Sequence, residues 1–205
     1  MKTIKETCYK GTRILLGNDK QEYLQKCRDY LKLEGYTEIS IPIIQHESIF
    51  VDKVGEENNN LMYNFVDRGN RNLCLAPEYT AVIQKLADTT FKNQKDVKLF
   101  YVQECFRGEK PQRGRFRQFT QLGVEVLNPS MQYNLSLIAM NLCNIYKFQD
   151  YGIDFDATRG LDYYKDGKGF EISLDAAGST YQIVGGGEYE KGTGFAIGVD
   201  RLLDL

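Results

Sequence analysis

Between Leu99 and Val126 the chain alternates apolar and polar residues on both sides of a basic, Pro- and Gly-containing stretch, which predicts an antiparallel hairpin with a long connection. In its second arm Phe119, Gln121, Gly123 and Glu125 fall on one face and Leu122, Val124 and Val126 on the other. Turning the apolar face to a core leaves Gln121, Gly123 and Glu125 on a surface where glycine leaves room for something to lie. Elsewhere the period changes. Residues 18–34 carry Tyr23, Leu24, Cys27 and Leu31 at helical spacing, with Asn18 as cap, Gln21 three residues later and Gly35 at the end. A strand over 36–44 follows, which Pro42 confines to an edge or an interface.

Residues 61–67 and 72–78 read as two strands across an Asp67–Asn70 turn, the second running into a helix with Pro77 at its first position. Leu135, Ile138, Leu142, Ile145 and Tyr146 predict a helix within 132–150, ended by Gly152. A Gly-broken segment then leads into a strand, a hairpin turns through Asp175–Ser179, and the strand TYQIV precedes Gly185-Gly186-Gly187. That triplet lacks the Walker and dinucleotide spacings, so it reads as a place where backbone approaches a ligand or a neighbouring strand. The last helix buries Phe195, Val199, Leu202 and Leu203 and carries Arg201.

Composition narrows the function. With 42% hydrophobic and 26% charged residues, 205 residues suffice for one domain with a substantial core. A net charge of −2 announces neither a nucleic-acid nor a membrane surface, and no apolar run approaches a spanning length. Five cysteines, odd in number and without a CxxC pair, point to reduced thiols in a cytoplasm. His46 is the only histidine, which argues against histidine general-base chemistry and a histidine-based metal centre. The central hairpin is the stretch where chemistry concentrates. Arg107 and Glu109 leave one arm, Gln121 and Glu125 stand on the other, and Lys110, Arg113 and Arg115 occupy the loop. Such a set suits a molecule with both cationic and anionic groups, although alternation alone fits a solvated hairpin equally well.

The order of residues goes further. FRGEKPQRGRFRQFTQLGVEV resembles motif 2 of the class II aminoacyl-tRNA synthetases in its histidyl-tRNA synthetase version. Gly35-Tyr36, Glu38-Ile39 and Pro42 resemble motif 1; Glu78 and Thr80 match the Arg-Pro-Glu-x-Thr signature, with Ala76 in place of its arginine. Without the resemblance, Glu78 reads as an acid favoured by a helix dipole. Arg159-Gly160-Leu161-Asp162-Tyr163-Tyr164 is similar to the histidine-specific signature. Gly186-Gly187-Glu188-Tyr189-Glu190 aligns with Gly-Gly-Arg-Tyr-Asp, and Gly198, Asp200 and Arg201 resemble motif 3 with Asp for its Glu. The likeness runs from Lys10-Gly11-Thr12-Arg13 to Arg201.

The resemblance implies an α+β fold, an antiparallel sheet flanked by helices, as a single catalytic domain over 1–205. An insertion domain is expected to be absent, because only 34 positions separate Glu125 from Arg159, and so is an anticodon-binding domain. It implies ATP and Mg²⁺, with no metal held by protein side chains. For ATP it implies Arg107, Glu109 (adenine amino group), Arg115, Phe119 (stacking on the ring) and Arg201. For histidine it implies Glu78, Thr80 and Gln121 on the α-ammonium, Glu125, Tyr164 and Tyr189 on the imidazole, and Arg159 beside the α-phosphate. Arg107 and Arg159 are the expected catalytic residues. A homodimer through residues 19–45 is implied as well. Three functions fit: formation of histidyl-adenylate with charging of tRNA; a histidine-binding regulatory subunit beside an ATP phosphoribosyltransferase catalytic chain, toward which Thr120 in place of a usual His leans; and transfer of activated histidine to a non-tRNA acceptor.

Overall fold

The computed structural model describes residues 2–3, 13–14, 19–51, 53, 59–110, 114–146, 151–159, 164–176 and 178–205. Asn18, Lys10-Gly11-Thr12, Arg113 and Gly160–Tyr163, singled out above, lie outside the described residues.

The central hairpin pairs over its full length because both arms are β-prone and both faces find cover. Its strands are β7 (Val97–Phe106) and β8 (Gln118–Leu127), in register from Val97 opposite Leu127 to Phe106 opposite Gln118. Before it come β1 (Lys2–Thr3) and β2 (Arg13–Ile14), paired with each other, then α1 (Asp19–Leu33), β3 (Thr37–Glu38), β4 (Ile44–His46), β5 (Tyr63–Val66), β6 (Asn72–Leu75) and α2 (Thr80–Asp88). After it come α3 (Leu135–Ile145), β9 (Gly152–Thr158), β10 (Lys168–Ala176), β11 (Ser179–Tyr189), β12 (Gly192–Gly198) and α4 (Val199–Asp204). Seven strands form one sheet in the order β3-β7-β8-β12-β11-β10-β9, antiparallel throughout except for the parallel β3–β7 edge. β4, β6 and β5 make a smaller antiparallel sheet. This is the α+β architecture, an antiparallel sheet flanked by helices, that the resemblance implies.

The two faces of β8 separate as predicted. Leu122, Val124 and Val126 join Phe100, the α1 stripe and Leu135, Ala139 and Leu142 of α3 in one core cluster. The opposite face is covered too. Leu99, Tyr101 and Cys105 of β7 meet Cys74, Tyr79, Ala81 and Ile83 in a second cluster, so α2 and the small sheet roof the face that alternation left open. Gly123 therefore does not leave space for a ligand; the Tyr101 ring from the facing strand occupies it, and a Cβ there would overlap that ring.

Several boundaries move for local reasons. Helix α2 begins at Thr80, not Pro77, because the Glu78 carboxylate accepts the N–H groups of Thr80 (2.7 Å) and Ala81 (2.9 Å) and closes the first turn. The strand expected over 36–44 divides around Pro42 into β3 and β4, which serve different sheets. Helix α3 ends at Ile145, capped at its start by Asn134, and Gly152 opens β9 instead of ending the helix. The glycine triplet lies inside β11, and Phe195 packs from β12 before α4 begins. Among the described residues no helix is long and apolar enough to cross a membrane.

Candidate active site

One cavity of about 260 Å³ opens beside the base of the central hairpin, between α2, β11, β12 and α4. Four arginines reach it from four parts of the chain. Arg107 follows β7; its backbone N–H donates to the Arg117 carbonyl (2.9 Å) and closes the hairpin, while its side-chain Nε donates to the Pro77 carbonyl at the foot of α2 (2.9 Å). Its guanidinium lies 5.4 Å from the centroid of Phe119, the first inward residue of β8. Arg115 returns along the loop to within 3.5 Å of Glu109 and is half exposed. Arg201 stands in α4, donating from Nε to the Gly114 carbonyl (2.6 Å) and from Nη1 to the Gln182 carbonyl (2.7 Å). Burial, then the charges of Arg115 and Arg107, hold Arg201 below the ordinary arginine value. Cations so arranged repel one another and favour a polyanion.

Arg159 comes from the far edge of the sheet. Its side chain is only 10% exposed, lies over the Tyr164 ring at 5.4 Å and approaches Glu171 at 3.5 Å. Its Nε is buried and has no hydrogen-bond partner among the described residues. It can lie so close to β11 because residue 185 is glycine: an added Cβ would stand 2.8 Å from Cζ of Arg159. The triplet thus admits a neighbouring side chain as well as a neighbouring strand.

Glu78, Thr80, Gln121 and Tyr164 also line the cavity, as do Glu109 and Phe119, the latter under the Arg107 guanidinium. Of the described residues implied for ATP and histidine, Glu125 and Tyr189 do not line the cavity; Glu125 is held behind Thr80, which does, and Tyr189 is bonded to Glu125. Glu125 is fully buried, accepting from Thr80 Oγ1 (2.7 Å) and from the Tyr189 hydroxyl (2.8 Å). Burial pushes its carboxyl up to about 8, against the lowering effect of those two hydrogen bonds. Thr120 lies away from the cavity. Its N–H donates to Asp200 (2.5 Å) and its hydroxyl to Glu104.

Sequence reading missed Gln182, Phe116, Ile183 and Ala196 in the lining, and Tyr101 behind Gln121. No motif marks Gln182, and a register shift between Ile172 and Ser173 alters the alternation of the β10–β11 ladder just there. Chemically, the site pairs guanidinium groups, which stay charged and fork onto phosphate oxygens, with carboxylate and amide groups suited to a small zwitterion.

Known proteins resemble this chain in sequence and in fold. The family profile described as Histidyl-tRNA synthetase matches residues 18–142. A histidine–tRNA ligase from Methanocaldococcus jannaschii is 35% identical over 159 residues, which cover 74% of this chain and 37% of the relative's length. The apo histidyl-tRNA synthetase of S. aureus superposes with a TM-score of 0.72 at 25% identity, covering 96% of this chain and 69% of that one. An ATP phosphoribosyltransferase regulatory subunit/histidyl-tRNA synthetase from Bacillus halodurans superposes at 0.75, covering 99% and 83%; at 13% identity it shows the fold alone.

Proposed function

The chain belongs to the histidyl-tRNA synthetase family, and on that premise we propose that it binds ATP and histidine side by side in the cavity and joins them as histidyl-adenylate. A histidine carboxylate oxygen attacks the α-phosphorus, the bond to the β-phosphate oxygen breaks, and pyrophosphate leaves with that electron pair. The nucleophile is already an anion, so the reaction needs charge stabilisation more than a base. The observation that carries this reading is the convergence of Arg107, Arg115, Arg159 and Arg201 on one cavity that also holds Glu78 and Gln121.

Arg107 holds the α-phosphate and the substrate carboxylate, with Arg159 opposite it; together they take up charge as it builds. Arg115 and Arg201 hold the β/γ end of the triphosphate. Glu109 accepts from the adenine amino group and Phe119 stacks on the ring. Glu78 and Thr80 attract the α-ammonium. Tyr164 meets the imidazole directly, while Glu125 and Tyr189, behind the wall, act once the ligand has displaced their mutual hydrogen bond. A pocket that hydrogen-bonds the imidazole rejects side chains lacking its polar atoms far better than an apolar slot does. Mg²⁺ fits as a partner of the nucleotide: the lining carboxylates of Glu78 and Glu109 already face backbone N–H groups and Arg115, so phosphate oxygens would supply its ligands. When bound it would neutralise polyphosphate charge.

The activated histidine passes to tRNA. The chain pairs with a second copy through residues 19–45. α1 turns its apolar stripe inward, but Ile44 at the end of that stretch is 54% exposed, in one row with Leu75 and the exposed Tyr63 across the small sheet. Histidine-dependent ATP–pyrophosphate exchange tests the reading, with Arg159→Ala as control. Exchange no higher than the control would reject it; histidine binding without exchange, with a phosphoribosyltransferase catalytic chain co-purifying, would favour the regulatory function instead.

A further inference from the structure

A second hollow, sharing no lining residue with the cavity, runs between the start of α3 and strands β9 to β12. It has two lobes of about 820 and 660 Å³, joined through Gln132, Tyr133, Lys165, Glu188 and Thr193. Three large apolar side chains stand exposed along it: Met131 (66%), Leu137 (51%) and Phe155 (68%). Phe155 is presented by a bulge, where Phe155 and Asp156 together oppose Phe170 alone and the side chain is re-aimed.

We propose that this groove is a docking site for a basic, amphipathic helix of another polypeptide, which seats apolar residues on Phe155, Leu137 and Met131 and sets its cations over the acids beside them. The inference is independent of the chemistry proposed for the cavity.

Charge selects the sign of the partner. The lining carries Lys165 and Lys168 against Asp166, Glu188 and Glu190. Both lysines are engaged already, Lys165 with Glu188 at 3.9 Å and Lys168 with the exposed Asp156 at 2.9 Å. Lys98, which is not in the lining, meets the Tyr133 ring at 5.8 Å and is held by the Glu34 carbonyl (3.2 Å). Asp166 and Glu190 have no ion-pair partner among the described residues. An acidic surplus repels nucleic acid and acidic segments and attracts a basic one, most strongly at low salt.

Backbone selects the partner's form. β9 is the last strand of the sheet, so a partner could extend the ladder there only through free N–H and C=O groups. At the bulge the Asp156 N–H donates to Asp154 Oδ1 (2.9 Å) and the Asp156 carbonyl accepts from Lys168 Nζ (3.3 Å). With the edge closed beside Phe155, contact falls to side chains. A helix meets that demand, with apolar residues on one face and cations on its flanks.

Two peptides of about 18 residues test the inference by fluorescence anisotropy on the full chain, both with leucines at helical spacing. One carries lysines at the remaining positions and the other glutamates. The lysine peptide is expected to bind at least about tenfold more tightly, with the gap closing as salt rises. Phe155→Ser and Leu137→Ser should each weaken it by about tenfold or more, the scale of an interface anchor. Asp166→Asn with Glu190→Gln leaves the anchors in place, and asparagine tolerates the left-handed backbone at residue 166 (φ 55°). This pair should narrow the preference between the peptides about threefold or more. The proposal is overturned by a lysine-peptide Kd above about 1 mM, by equal binding of the two peptides, by binding unchanged in the serine variants, or by a preference unchanged in the charge variant. Sedimentation of the chain without peptide covers the remaining occupant: self-association lost in Phe155→Ser would mean that a second copy fills the groove, and would overturn the proposal as well.

Discussion

Gly185→Ala separates positioning of Arg159 from stability of the sheet. The new Cβ would stand 2.8 Å from Arg159 Cζ, closer still to Nη2, and 2.5 Å from Gln182 Nε2. Ordinary contact begins at 3.4 Å, so the guanidinium must retreat by about 0.6 Å at its central carbon and on the order of 1 Å at Nη2. Both obstructing groups are the ends of flexible side chains, so the strand itself is not forced apart. A misplacement of about 1 Å at a charge-stabilising group costs on the order of a hundredfold in rate, or about 2.7 kcal/mol of barrier. Gly186→Ala is the contrast. Its Cβ would stand 2.5 Å from Phe195 Cβ and 2.6 Å from the Gly194 carbonyl, which are backbone-tethered and cannot swing away. The assay is pyrophosphate exchange beside a thermal melt. Gly185→Ala should lose exchange about a hundredfold while melting within about 4 °C of the parent, a loss of about 1 kcal/mol; Gly186→Ala should lose more stability. Undiminished exchange in Gly185→Ala, or a melt as depressed as that of Gly186→Ala, would refute the reasoning.

Two further outcomes follow from the buried acids. Glu125 has a folded value of about 8 against an ordinary 4.5, so between those values the folded chain holds a proton that the unfolded chain has released. Stability should therefore fall as pH rises from 5 to 8, at about 1.4 kcal/mol per pH unit at most. Urea titrations across that range should show a shallower slope for Glu125→Gln, and an unchanged slope would mean that another group dominates. Asp200 accepts from the Thr120 N–H (2.5 Å) and from Lys20 Nζ (3.0 Å), tying β8 and α1 to the helix that carries Arg201. Asp200→Ala should cost about 1–3 kcal/mol of stability in a urea titration, and it should raise the KM for ATP in the exchange assay more than the KM for histidine.

The sequence by itself determined the central hairpin, the division of β8 into two faces, the α1 stripe and the residue types gathered at the site. Each is a local matter: period two or 3.6, a run of β-prone residues, a glycine at a helix end. Family resemblance added which distant residues belong together, because a motif records the result of a fold that periodicity cannot compute. Only the tertiary structure decided what covers the second face of β8. Alternation shows that Gln121, Gly123 and Glu125 share a side, but whether that side meets solvent, a ligand or protein depends on where α2 and the small sheet pack. Packing put Tyr101 into the notch at Gly123, buried Glu125 behind Thr80 and Tyr189, and set Arg159 close against Gly185. Thr80 and Glu125 lie 45 positions apart and Arg201 and Gly114 lie 87 apart, distances over which neither propensity nor period carries information. Local sequence chooses the elements; burial of their remaining faces against one another chooses which polar groups meet, and so fixes what the site can hold.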